Sequence, residues 1–152
     1  MADQLTDAEL VERFAHMPVD HDSKDFYRGW LDHELLLNRC DDCGRWHQPP
    51  RPMCPSCWSW NVTATPVSGR GTVHLVMRLH QGPPAQGVDY TSGPHLVVTV
   101  ELAEQEGLRY TSTVATTDPA SVNIGDPVEL TWIERNGAPF PVFQPAPSGA
   151  AR

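Results

Sequence analysis

All four cysteines of the chain fall in one stretch, RCDDCGRWHQPPRPMCPSCWSW, from Arg39 to Trp60. They form two C-x-x-C pairs, Cys40 with Cys43 and Cys54 with Cys57, separated by ten residues. Each pair sits on a tight turn. Gly44 follows the second cysteine of the first pair, and Pro55 lies just inside the second. Such turns bring two thiolates and some backbone N–H groups to one side. Two of them facing each other set four sulfurs at the corners of a tetrahedron, which is the geometry of closed structural Zn²⁺ sites. With four thiolates bound, no position stays open for water or substrate, so this metal holds structure and does no catalysis.

A reduced cytoplasm disfavours disulfides, and two C-x-x-C pairs at this spacing are a metal signature. Zinc is the expected occupant. Iron is the alternative, because facing knuckles are also how rubredoxin holds a redox-active iron. Trp58 stands after the fourth cysteine, where rubredoxins usually carry glycine, and this counts against electron transfer.

Other chemistry is sparse. The chain has no G-x-S-x-G elbow and no Walker loop, and GRG at Gly69–Gly71 is only a fragment of a dinucleotide fingerprint. Seven histidines are scattered without an H-E-x-x-H pairing. His80, Asp89, Tyr90, Ser92 and His95 crowd one Gly/Pro-rich linker, where solvated polar residues are the ordinary finding.

The elements that must position the cysteines read as follows. Residues 1–34 form an acidic helical arm. Thr6-Asp7-Ala8-Glu9 is a capping box with Leu5 and Leu10 at the staple positions. Leu10, Val11 and Phe14 then recur at helical spacing. Gly29 and the MPVDHD break predict two short helices, the second starting at Asp22 or Ser23 and burying Phe26, Trp30 and Leu31. Residues 35–61 are the cysteine module. Residues 66–146 read as β-structure, with strands over 71–80, 95–102, 108–116, 127–134 and 139–145, rich in Val, Thr and aromatics. AEQEG and RNGA are hairpin turns, and GDP at Gly125–Pro127 turns the chain into the fourth strand. Five short strands suit an OB-type barrel better than an immunoglobulin sandwich, which wants about seven. Residues 147–152 are expected to be a disordered tail. The fold class is therefore mainly β with N-terminal helices.

Net charge is −8. Residues 1–38 hold nine acids against Arg13, Lys24 and Arg28. No Lys/Arg cluster is available to neutralise a run of phosphates, which argues against nucleic acid as a partner. The longest apolar runs are far too short to cross a membrane. The acidic start MADQLTDAEL lacks the basic-then-apolar order of a signal peptide, and the expected compartment is the cytoplasm.

The ordered sum of LLLNRCDDCGRWHQPPRPMCPSCWS, VSGRGTV, NIGDPVEL and PFPVFQPA resembles one family over residues 23–146. It is the zinc-ribbon/OB-fold family known as domain of unknown function thirty-five. The resemblance implies a rubredoxin-like zinc ribbon followed by a five-stranded OB-fold barrel, with Cys40, Cys43, Cys54 and Cys57 at the family's metal positions. It further implies a non-catalytic accessory subunit of thiolase-like or lipid-transfer-type enzymes acting on acyl-CoA thioesters. The chemistry implied is retro-aldol or thiolytic side-chain cleavage, as in steroid or aromatic catabolism, or acyl transfer, and it belongs to the partner chain. On this view CoA is shared with the partner. Arg45 and Arg51 are candidates for its phosphates, and Trp46, Trp58, Trp60 and Gln48–Pro52 for the docking surface. The second reading is a single-stranded nucleic-acid module, since ribbons and OB-folds both bind single strands.

Overall fold

The computed structural model describes residues 5–81 and 89–147. The chain divides into two compact units, Met1–Val67 with Gly137–Pro139, and Ser68–Asn136 with Phe140–Arg152. No helix among the described residues is long and apolar enough to cross a membrane. Apart from residue 147, the expected C-terminal tail lies outside the described residues, as does the middle of the 80–94 linker.

The first unit opens with helix α1, Asp7–Arg13, whose capping box forms as the sequence dictates. Thr6 Oγ1 accepts the Glu9 N–H, while the Glu9 carboxylate accepts the Thr6 N–H at 2.8 Å. Helix α2 spans Lys24–Leu31 after Ser23. Arg28 ties the two together, donating to the Leu5 carbonyl and to Asp7. Arg28, and after it Lys24, hold the Asp7 carboxyl below its usual range. Leu10 and Phe14 are buried, whereas Val11 faces solvent. Phe14 meets Tyr27 and Trp30 at ring-centroid distances of 5.2 and 5.8 Å, and Phe26 meets Trp30 at 5.3 Å. This aromatic cluster is the arm's core. Gly29 does not end a helix as its type suggests. It lies inside α2, where a Cβ would come within 2.6 Å of the Glu34 carbonyl and of Leu36 Cγ. The glycine is there to let the following chain approach, and MPVDHD alone separates the helices.

That chain becomes β1, Leu36–Cys40, flanked by β2, Trp46–His47, and β3, Val62–Pro66, in the order β2-β1-β3. Leu35 and Leu37 are buried, so β1 joins the arm's core at one end to a cysteine at the other.

The second unit is one curled antiparallel sheet. Its strands are β4 (Arg70–Leu79), β5 (His95–Leu102), β6 (Arg109–Ser112), β7 (Pro127–Arg135) and β8 (Ala138–Pro145), in the order β6-β5-β4-β7-β8. Past the end of β6, Ala115 N donates to the Phe143 carbonyl at 2.7 Å and Phe143 N to the Thr113 carbonyl at 2.9 Å. These bonds and the parallel Val114–Phe143 bridge draw the two sheet edges together into an OB-type half-barrel. Val73, Leu96, Val98, Val100, Leu102, Tyr110, Val142 and Phe143 fill it.

The SGRGTV motif has a steric cause. Gly71 pairs with Leu102, and a Cβ there would strike Val100 Cγ1 and lie 2.6 Å from the Glu101 carbonyl. Gly69 takes φ 80° against Leu130. Close approach of the neighbouring strands, with the left-handed backbone at Gly69, accounts for both glycines. Gly71→Ala is expected to destabilise the protein by about 1–3 kcal/mol, as overpacking does. Urea unfolding measures it, and an unchanged midpoint would show that the strands can separate at no cost.

Candidate metal centre

The two knuckles are near copies of one another. In the first, Gly44 N donates to the Cys40 carbonyl at 2.9 Å, and Cys40 N to the Arg45 carbonyl at 2.9 Å. In the second, Trp58 N donates to the Cys54 carbonyl at 3.1 Å, and Cys54 N to the Ser59 carbonyl at 2.9 Å. Each turn buries its first cysteine and exposes its second. The residue after each pair is left-handed, with φ 75° at Gly44 and φ 63° at Trp58. Glycine adopts that conformation freely, whereas a side-chain-bearing residue there costs roughly 1–2 kcal/mol.

All four Sγ atoms lie within 4.8 Å of one another. Across the knuckles, Cys40 and Cys57 sulfurs are 3.6 Å apart, and Cys43 and Cys54 sulfurs 3.7 Å. A tetrahedron with Zn–S bonds of about 2.3 Å has S···S edges of about 3.8 Å. The cluster therefore fits a four-thiolate cation, and its sulfurs are far outside disulfide distance. Its electrostatics agree. The backbone N–H groups of Cys57 and Ser56 bring the Cys54 thiol down to about 7. Cys57, although the Ser59 N–H pulls it down, is pushed up to about 12 by the thiols of Cys43 and Cys40. Four sulfurs this close cannot all carry charge unaided, and a divalent cation among them removes the conflict.

Asp41 and Asp42 lock the knuckles from outside. Ser59 Oγ and Asn61 Nδ2 donate to the Asp42 carboxylate, the latter at 3.1 Å, and Thr63 Oγ1 donates to Asp41 at 2.6 Å. The two carboxylates are thus spent on the second knuckle and β3. Neither pairs with Arg45 or Arg51 among the described residues.

The remaining residues singled out by sequence scatter around the ribbon. Arg45 is exposed beside the first knuckle. Trp46 is half-buried under the Arg39 guanidinium, 5.8 Å from the ring centroid. Trp58 and Trp60 are exposed by 70% and 71%, too much for ribbon core residues. Arg51 lines a cleft of about 350 Å³ together with Asp22, Asp25, Asn38, Trp60 and Val62. The sequence does not mark Asp22, Asp25 and Asn38 as a group, because 12 residues, including the rest of α2, separate Asp25 from Asn38 in the chain. In the second unit, Tyr90 and His95 stack edge to face at 6.4 Å, and Asp89 accepts from Thr91. Ser92 Oγ donates to the Asp89 backbone carbonyl at 3.2 Å, while His80 joins no metal-binding group among the described residues.

Comparison with known proteins now separates the possibilities. Residues 28–63 match the family described as "ChsH2, rubredoxin-like zinc ribbon domain", and residues 64–133 match "ChsH2, C-terminal OB-fold domain". A DUF35 domain-containing scaffold protein of Methanothermobacter thermautotrophicus is 33% identical over 125 residues, 82% of this chain and 81% of that protein. The chain belongs to the DUF35 family. A probable enoyl-CoA hydratase alpha subunit of Thermomonospora curvata is 30% identical over 129 residues, 84% of this chain but only 39% of that protein. The chain thus spans well under half of that relative. Among solved structures, a chain of the Ltp2-ChsH2(DUF35) aldolase superposes with a TM-score of 0.74 at 29% identity, covering 85% of this chain and 98% of that one. Ribbon, half-barrel and family stand as the sequence predicts.

The left-handed tryptophan yields a test. Trp58→Gly is expected to raise the stability of the ribbon by about 1 kcal/mol, because it removes strain and a largely exposed side chain. Thermal unfolding in the presence of zinc measures it. A fall in midpoint would mean that the indole packs usefully.

Proposed function

We propose that this chain is a non-catalytic accessory subunit of an enzyme complex acting on acyl-CoA thioesters. Its partner is a thiolase-like or lipid-transfer-type chain that carries the reacting groups. The observation that carries this reading is the likeness, over nearly the full length of both chains, to a ChsH2(DUF35) chain of an aldolase complex. That name also favours retro-aldol cleavage over thiolysis or acyl transfer. A resemblance to a hydratase alpha subunit fits the same general setting of CoA-ester chemistry.

Cys40, Cys43, Cys54 and Cys57 hold a structural zinc on this reading. Their closed tetrahedron leaves no ligand position for substrate, so the metal's contribution is to fix a lobe of about 30 residues that has little core of its own. Trp58 and Trp60, exposed and two residues apart, are the docking candidates on that lobe. Arg45 is open to a coenzyme phosphate. Arg51 is less suited, since Asp22 and Asp25 share its cleft. A reducing cytoplasm is the compartment this reading expects, since it keeps four metal-binding thiols from pairing as disulfides. Single-strand binding gains no support here, because the exposed Trp60 stands beside carboxylates and not along a basic track.

Metal analysis is expected to return one zinc per chain, and Cys40→Ser or Cys57→Ser to unfold the ribbon, because binding and folding of such a lobe are one event. A metal-free protein, or a serine variant as stable as the parent, contradicts the assignment.

The function is tested by co-expression with a thiolase-like or lipid-transfer-type chain from the same genome, followed by gel filtration and an assay for CoA-thioester cleavage. The two chains are expected to co-elute, with turnover only when both are present. If they never co-elute, or if the partner is fully stable and active alone, the accessory role is wrong.

A further inference from the structure

The cleft between α2 and the ribbon sheet is built from acceptors. Asn38, in the middle of β1, is only 9% exposed. Its Nδ2 donates to the Arg51 backbone carbonyl at 2.9 Å. A carbonyl can only accept, so this bond fixes the amide's orientation and leaves Oδ1 as the free end. Among the described residues nothing donates to that oxygen, and Asn38 lines the cleft. Asp22 and Asp25 add two carboxylates, of which Asp22 faces only His21, at 3.3 Å. Trp60 supplies an exposed aromatic wall. Arg51 is the one resident guanidinium among these residues. Among the described residues no ion pair joins it to Asp22 or Asp25. Two carboxylates beside one guanidinium leave the cleft with negative charge in excess.

We propose that this cleft is a docking pocket for an arginine side chain of the partner protein, its guanidinium stacked on Trp60 and donating to Asp22, Asp25 and Asn38 Oδ1. A guanidinium is planar, carries five donors and no acceptor, and stacks on aromatic faces, which matches a wall of acceptors beside an indole. A lysine ammonium lacks the flat face. A phosphate would meet two carboxylates at close range and be repelled. The identity of the partner rests on the accessory-subunit reading. The chemistry of the pocket does not.

The full-length zinc-loaded protein, labelled with 5-fluorotryptophan, gives one ¹⁹F resonance per tryptophan, and Trp60→Phe assigns the relevant one. Titration with Nα-acetyl-arginine amide is expected to shift the Trp60 signal saturably while leaving Trp58 in place. The lysine analogue and ADP, at matched ionic strength, are expected to shift it less. Asp25→Asn should weaken the arginine titration roughly two- to fivefold, as loss of one carboxylate beside a cation–π contact does. No saturable shift, or a stronger response to ADP, overturns the proposal whether or not any partner is found. In the co-purified complex, Trp60→Ala with Asp25→Asn is expected to weaken association at least tenfold with zinc content unchanged. Unchanged association in a complex that does form removes the docking role and leaves the accessory reading intact.

Discussion

Everything in the first unit hangs on the closure of two five-residue turns around four sulfurs. Each knuckle is closed by two backbone hydrogen bonds of its own and a few ties to its neighbours, which cannot by themselves offset the entropy of ordering so short a loop. A shared cation changes that balance, because it couples turns ten residues apart in a single step. The consequence reaches beyond the ribbon. β1 ends in the buried Cys40 and begins beside Leu35, whose backbone carbonyl accepts from Val67 N at 3.1 Å. The same strand carries Asn38 and is met by Gly29 from α2. Sulfur geometry, sheet register and the placement of the helical arm are therefore one mechanical problem.

The sequence was most legible where a residue type answers a local need. The capping box, the two C-x-x-C turns and the five barrel strands follow from patterns a few residues long, and the strands agree within a few positions. It was least legible where a residue answers a neighbour distant in the chain. Gly29 looks like a helix breaker and Gly71 like a scrap of a dinucleotide fingerprint, yet both are clearance for a neighbouring stretch of chain. Tyr27, outside the expected buried set of Phe26, Trp30 and Leu31, fills the aromatic cluster. The cleft belongs to the same class, since Asp22, Asp25, Asn38 and Trp60 are brought together only once α2 lies along the ribbon sheet.

β4 shows how one residue can defeat a correct pattern. Val73, Leu75, Met77 and Leu79 alternate as though they shared one buried face. Val73 pairs with Val100, but Leu75 pairs with Thr99, so His74 is an extra residue and the pleat reverses there. Past the bulge, Val76 and Arg78 pair with the buried Val98 and Leu96, while Leu75, Met77 and Leu79 turn outward with exposures of 42%, 38% and 38%. Arg78, brought to the inner side, uses one guanidinium nitrogen to satisfy the carbonyls of Pro119, Ala120 and Val122 at 3.1–3.3 Å. A charge on an apparent core strand thus becomes the cap of the short 3-10 turn at Pro119–Ser121.

Trp58 poses the sharper question of why strain is kept. Stability alone would select glycine at a left-handed position, as the first knuckle has at Gly44. A tryptophan that is 70% exposed recovers little burial energy to offset that strain. The knuckle tolerates it because the sulfurs over-determine the turn: once Cys54 and Cys57 are held, φ at the next residue has no freedom to relax. Trp58 and Trp60 both lie on the outer surface of the ribbon, and a cation held by the four sulfurs would fix the turn that carries the strained residue.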